Sequence, residues 1–159
     1  MADPEITINR ALQTYLDKGY SENWVNQRLK TIEVRKELTN EWERVGIKKG
    51  LEFAILTDEI TKAWADMTTK EYKKLKDLKK ENLRDNMTNV ELVLNMLAEV
   101  STTEISKERN PETFEESKTI ARQGGEVAKN ARQNIEKQLG HKVVTSKNAK
   151  NLKQIENKE

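Results

Sequence analysis

A chain of 159 residues with 29 basic side chains, 27 acidic ones, one histidine and no cysteine is long enough to bury one core, and it excludes disulfides and thiolate metal sites. The apolar and charged fractions are equal at 35%, and two prolines with six glycines suit long helices and few sharp turns. A formal charge of +2 confines any affinity for polyanions to local patches; no apolar stretch reaches the roughly 20 residues that cross a bilayer, no signal-peptide pattern opens the chain, and the expected location is the cytoplasm.

The chain opens with Asp3, Pro4 and Glu5, a helix cap followed by proline in the first helical position and an acid in the first turn. A start placed on a helix cap reads either as a cut from something longer or as a natural start. Ile6, Ile8, Ala11, Leu12, Tyr15 and Leu16 keep helical spacing up to Gly19, a left-handed stop. Ser21 caps a second helix through Trp24, Val25, Leu29, Ile32 and Leu38 toward Trp42 and Val45, with Thr39 as a second cap and Gly46 as terminator. The run Leu51 to Leu56 is apolar on every position except Glu52, so periodicity alone does not separate helix from strand; helix is the expectation. Thr57 is expected to cap a short helix through Ile60, Ala63 and Trp64.

The block from Thr68 to Gly125 holds the clearest signals. Thr68 with Glu71, Thr88 with Glu91 and Thr113 with Glu116 each match the capping box, hydroxyl to a first-turn amide and carboxylate back to the cap amide. After Thr88 come Val90, Leu92, Val93, Leu94, Met96, Leu97, Ala98 and Val100, leaving a narrow polar stripe of Glu91, Asn95, Glu99 and Thr102 or Thr103. Such a helix is expected at the centre of the core, closed by Asn110 and Pro111. From Phe114 to Leu139 a seam of small residues, Ser117, Ala121, Gly124, Ala128 and Ala131, runs between Phe114 and Ile135. Small seams let helix backbones approach closely, first of all inside the fold and otherwise between subunits. The tandem Gly124 and Gly125 weaken the helix by about 1 kcal/mol each relative to alanine, or they mark a kink. The expected fold is all-α, a multi-helix bundle over residues 1–140 followed by a polar, partly flexible tail over 141–159.

Chemistry is sparse. His141 follows a helix-ending glycine and has no ligand-spaced partners, which reads as a surface residue. The carboxylates alternate with lysines as on a solvated face, and neither a phosphate-cradling glycine loop nor a serine nucleophile motif is present. No enzyme, cofactor, metal or small-molecule substrate is expected. Between Lys70 and Arg84 seven cations stand against three acids, and from Arg122 to Lys153 eight stand against two. Lys73, Lys74, Lys76, Lys79, Lys80, Arg84, Arg122, Lys129 and Arg132 are therefore candidates for holding phosphate backbones, with a solvated helix face as the bland alternative. Aromatic residues that could stack on bases are few near these patches, Tyr72 being the obvious one, so sequence-specific or single-strand stacking recognition is not indicated. The three tryptophans read as core anchors.

The run TTKEYKKLKDLKKENLRDNMTNVELVLNMLAEVSTTEISK, followed by NPETFEESKTIARQGGEVAKNARQNIEKQLGHKVV, resembles the C-terminal half of prophage antirepressor-like proteins that carry a Bro-N domain in front. It is similar, more distantly, to the C-terminal part of DNA-damage-inducible protein D. The leading segment resembles the stretch that follows the Bro-N domain in the same proteins. The resemblance implies a bacterial DNA-associated regulator whose DNA-reading domain is absent from this sequence, and it carries over no functional residue. Two functions are weighed. The first is a non-enzymatic interaction and self-association module, using the seam Ala121, Gly124, Ala128 and Ala131 or the apolar helix after Thr88 to meet a protein partner. The second is an auxiliary nucleic-acid binder using the lysine-rich stretch; no membrane partner is expected.

Overall fold

The computed structural model describes residues 4–153, with side chains from Asn9 onward; the expected cap at Asp3 lies outside them. The described residues form α1 (Pro4–Asp17), α2 (Glu22–Arg44), α3 (Leu51–Ala65), α4 (Thr69–Leu75), a short 3-10 turn (Arg84–Asn86), α5 (Asn89–Arg109), α6 (Phe114–Leu139) and α7 (Ala149–Leu152). There is no strand among them, only an isolated antiparallel bridge between Tyr20 and Lys153. The protein is an all-α bundle in which α5 packs on α2 and α6, α6 packs on α3, and α1 lies along α2.

Local chemistry places the ends. Ser21 accepts the amide of Trp24, and Thr68 and Thr88 close complete capping boxes with Glu71 and Glu91. Thr113 accepts the amide of Glu116, but the Glu116 carboxylate turns to the amide of Glu112, so the third box is only half formed. At three C-termini the backbone closes in the same way: Tyr20 N–H donates to Tyr15 O, Ile47 N–H to Trp42 O and Leu78 N–H to Lys73 O. Each is the six-to-one bond of a Schellman motif, with Gly19, Gly46 and Asp77 in the left-handed position at φ of 97°, 87° and 58°.

Two expected caps are not caps. α2 runs unbroken through Thr39, whose hydroxyl donates back to Lys36 O, and α3 runs unbroken from Leu51 through Thr57, whose hydroxyl donates to Phe53 O. A threonine inside a helix satisfies its hydroxyl on the preceding turn, and sequence alone does not separate that state from a cap.

α5 is central, as its composition suggests, but its polar stripe faces inward. Glu91, Asn95, Glu99, Thr102, Thr103 and Ser106 are buried together with Leu92, Leu94 and Ala98, while Val90, Val93 and Val100 are exposed. Positions 91, 95, 99, 102 and 106 keep the spacing of one helix face, so the polar side chains occupy the seam that leucines would fill in an ordinary bundle. The inversion holds because cations from elsewhere meet the carboxylates: Lys76 donates to Glu91, and Arg35 and Arg84 both donate to Glu99. Ser106 likewise donates to Glu41 on α2. Without those partners each buried charge would cost several kcal/mol.

The α5–α6 contact is close because α6 presents glycine. A methyl placed on Gly124 would sit 1.9 Å from Thr102 Oγ1 and 2.7 Å from the Thr102 amide nitrogen, and one on Gly125 would sit 2.4 Å from the Ala63 methyl. α6 nonetheless continues straight through both glycines from Phe114 to Leu139, so they are approach points and not a break. Trp24, Trp42 and Trp64 are all buried anchors, and the Trp24 indole donates to Met87 O at 2.8 Å.

Candidate functional site

The basic candidates fall into two groups once their surroundings are known. α4 is only seven residues long and ends at the left-handed Asp77, so Lys70 to Arg84 is one short helix and an irregular connection, not a continuous lysine-rich helix. Lys76, at the C-cap, turns into the protein and is fully buried. Its ammonium donates to Glu91 at 2.8 Å, to Thr145 O at 2.9 Å and to Lys147 O. Tyr72, also fully buried, donates to the other oxygen of Glu91. Burial lowers Lys76 below the ordinary lysine range, with Glu91 pulling it back, and burial with the adjacent Glu91 charge raises the Tyr72 phenol well above its usual value. Neither Lys76 nor Tyr72 can reach a nucleic acid.

The other engaged cations are clamps between elements. Arg84 donates to Glu99 at 2.7 Å. Along α6, Arg122 pairs with Glu59 at 2.9 Å and Lys129 with Asp66 at 3.0 Å; Arg132 reaches Trp64 O at 2.8 Å, Asp66 at 2.5 Å and Glu136 at 2.9 Å. Glu59 and Asp66, seven positions apart at α3 and its C-cap, thus receive cations spaced along α6. Burial pushes Glu59 up, but the Arg122 hydrogen bond and the charges of Arg122, Lys62 and Lys118 outweigh it and hold the carboxyl below its usual range. Arg122, Lys129 and Arg132 therefore tie α6 to α3, and Arg132 is itself buried.

Lys73, Lys74, Lys79 and Lys80 form no ion pair among the described residues, although the charge of Lys79 acts on Glu81, with Lys73 half-buried and the others exposed. They gain neighbours from the far end of the chain. The stretch after Gly140 is polar, and through Lys153 it lies on the body as a strap: Val143 is buried and its amide donates to Glu136, Asn148 Nδ2 donates to Lys76 O at 3.0 Å, and the Ala149 amide donates to Asn86 Oδ1 at 2.7 Å. The strap from His141 to Lys153 carries Lys142, Lys147, Lys150 and Lys153 and no acid. Exposed Lys147 and Lys150 are thereby set beside the connection that bears Lys79 and Lys80. The bonds at Lys76 and Asn86 seat the strap against the segment that runs from the end of α4 to the 3-10 turn. His141 is exposed at the start of this strap.

The small-residue seam is used inside the fold. Ala121, Gly124 and Ala128 are fully covered, and Ala131 is half-buried against the core. What remains outward on the central helix is the valine edge, with Val90 39% exposed, Val93 46% and Val100 40%. No group of three or more potential metal ligands gathers among the described residues, and no helix of the described residues is long and apolar enough to cross a membrane.

An all-helical domain with buried ion pairs on its central helix and a basic strap closing over one of them is thus the class of protein that fold and surface define. Residues 18–155 match the family of the DinD C-terminal domain, and the chain belongs to that family. Neither the curated proteins nor the solved structures yielded a match. The membership agrees with the resemblance to DNA-damage-inducible protein D and marks the chain as a domain related to a DNA-damage-inducible regulator.

Proposed function

We propose that this domain is a non-enzymatic contact module of a cytoplasmic DNA-damage-linked regulator, and that its contact surface is the basic face of Lys79, Lys80, Lys147 and Lys150, which holds a nucleic-acid backbone. The observation that carries the reading is the joining of two lysine stretches, 67 residues apart from Lys80 to Lys147 in sequence, by the hydrogen bonds at Lys76 and Asn86. Four exposed cations without an ion pair among the described residues, with Glu81 as a nearby acid, on a protein of net charge +2, form a local field that phosphates would neutralise. Sequence reading of DNA would then fall to a separate domain of the Bro-N type. The test is fluorescence anisotropy of a labelled duplex across a salt series. Binding should weaken with salt, and replacing the four lysines with glutamine should flatten the logarithmic slope by roughly 0.9 for each phosphate that is no longer neutralised. A wild-type chain that leaves the duplex unbound at low salt would end this reading.

The exposed valines of α5 favour a second reading, a protein contact. A helix that buries Glu91 and Glu99 and exposes Val90, Val93 and Val100 offers a partner an apolar edge. Sedimentation of wild type against Val93→Glu tests it for self-association: a dimer that Val93→Glu dissolves supports it, and a monomer at all concentrations removes self-association by this edge.

A further inference from the structure

Two hollows meet where α3, α4 and α5 come together. One, of about 190 Å³, is lined by Thr57, Thr61, Thr69, Lys73, Arg84 and Asn95, among others, and no carboxylate lines it. A more open one, of about 520 Å³, shares Thr57 and Thr69 and has Arg35 and Asp58 on its wall, Asp58 accepting the Thr69 amide at 2.8 Å.

The smaller cavity has donors in excess. Asn95 is 4% exposed, and its side-chain Nδ2 has no hydrogen-bond partner, where buried amides almost always have one. The Thr69 hydroxyl donates to nothing among the described residues, and Lys73 has no ion pair there. Behind them Arg35 and Arg84 share a single oxygen of Glu99, Oε2, at 3.0 and 2.7 Å. Two guanidiniums on one carboxylate leave a net positive charge. That imbalance also shows at Arg35, which burial first, and the neighbouring Arg84 after it, lower against the pull of Glu99. Glu99 Oε1 has no donor either, but Glu99 lines neither hollow.

We infer that this cavity binds a phosphate group, with Lys73 and Arg84 as charged donors and Asn95 Nδ2 and the Thr69 hydroxyl as neutral ones. Its volume holds a tetrahedral oxyanion with some of its water, and the donor set matches four oxygens with no carboxylate on the cavity wall, Arg84 keeping one nitrogen on Glu99 behind it. The site stands apart from the outer lysine face, because Lys79, Lys80, Lys147 and Lys150 line neither hollow. A free anion and the terminal phosphate of a nucleic-acid strand share this chemistry.

The test uses the full 159-residue chain, labelled with nitrogen-15, titrated with inorganic phosphate against chloride at constant ionic strength. The Asn95 side-chain amide and the Thr69 backbone amide should shift saturably. Lys73→Gln, at a half-buried position with no structural partner, should keep the phosphate-free melting temperature and weaken binding about tenfold, the scale of one charge-assisted bond. Asn95→Asp, which brings a carboxylate into the cavity, should abolish the shift. A second arm compares a short strand bearing a 5′-phosphate with the same strand bearing a 5′-hydroxyl: tighter binding of the phosphorylated strand assigns the site to a strand end, and response to inorganic phosphate alone assigns it to a free anion. No saturable shift with either probe, or equal shifts in Lys73→Gln, would overturn the proposal.

Discussion

The contact between α5 and α6 and the region where the strap covers α4 are both buried, yet they are held by opposite chemistry. Along α5–α6, close approach comes from absent side chains: Gly124 against Thr102, with Gly125 against Ala63 of α3 on the next face. Under the strap, burial comes from added charge: Lys76, Glu91 and Tyr72 satisfy one another, and strap carbonyls take the remaining protons of Lys76. The first contact tolerates no extra atom, whereas the second tolerates no missing partner. A domain can therefore carry glutamates down the centre of its core helix without losing a defined packing, provided each has its cation within reach.

The sharpest way to break the comparison is at Glu91. Glu91→Gln keeps the size and the cap to Thr88 but leaves the buried Lys76 charge without its counterion, and it should lower stability by about 3–5 kcal/mol in urea unfolding. Replacing all three buried partners, Tyr72→Phe and Lys76→Met with Glu91→Leu, should recover part of that loss, the Thr88 cap remaining open; a triple variant as unstable as the single one would show that the cap and the strap carbonyls, and not the charges, hold the region.

Gly124→Ala probes the other contact. The added methyl gains about 1 kcal/mol of helix propensity but meets the Thr102 backbone at 2.7 and 2.8 Å, so a net loss of about 1–3 kcal/mol is expected. Thr102→Ala removes the hydroxyl that lies 1.9 Å away but leaves these backbone contacts, so it should rescue only part of the loss. At Gly125 the closest atom is the Ala63 methyl at 2.4 Å, and Ala63→Gly should restore part of the stability lost in Gly125→Ala.

Alkaline pH should weaken the corner where Tyr20 meets the strap. Burial, then the Asp85 charge, pushes Tyr20 from 10.0 up to about 12, and its hydroxyl donates to Asp85 O at 2.9 Å while its backbone bridges Lys153. A pKa raised by folding favours the neutral phenol, so its contribution is complete below pH 10 and is lost as pH rises through about 12. Tyr20→Phe should flatten the fall of the thermal midpoint across that window, and an unchanged fall would place the titration elsewhere. The smallest effect belongs to the surface: Lys79→Gln with Lys80→Gln should leave stability within about 0.5 kcal/mol, separating the basic face from the clamps that resemble it in sequence.

What was legible from sequence was local. Ser21, Thr68 and Thr88 cap where expected, and Gly19 and Gly46 stop their helices, because a cap needs only residues within one turn of itself. Asp77 carried the same stop signal in a less familiar residue, followed by an apolar one as at Gly19 and Gly46. The fate of the cations was not legible. Lys76 reads like Lys74 or Lys79, and only its position at the end of α4 turns it inward; Arg35 meets Glu99 across 64 residues and Arg132 meets Asp66 across 66. Pairings at that separation leave no periodic trace along the chain.

The sequence by itself determined an all-helical chain, most helix ends, the central place of α5 and the family, since these follow from spacing, caps and long stretches of similarity. Only the tertiary structure decided which side of α5 is the core, which lysines are spent as clamps and which remain exposed. A glutamate is a surface residue or a core residue according to whether a cation reaches it, and that is settled by how the helices meet.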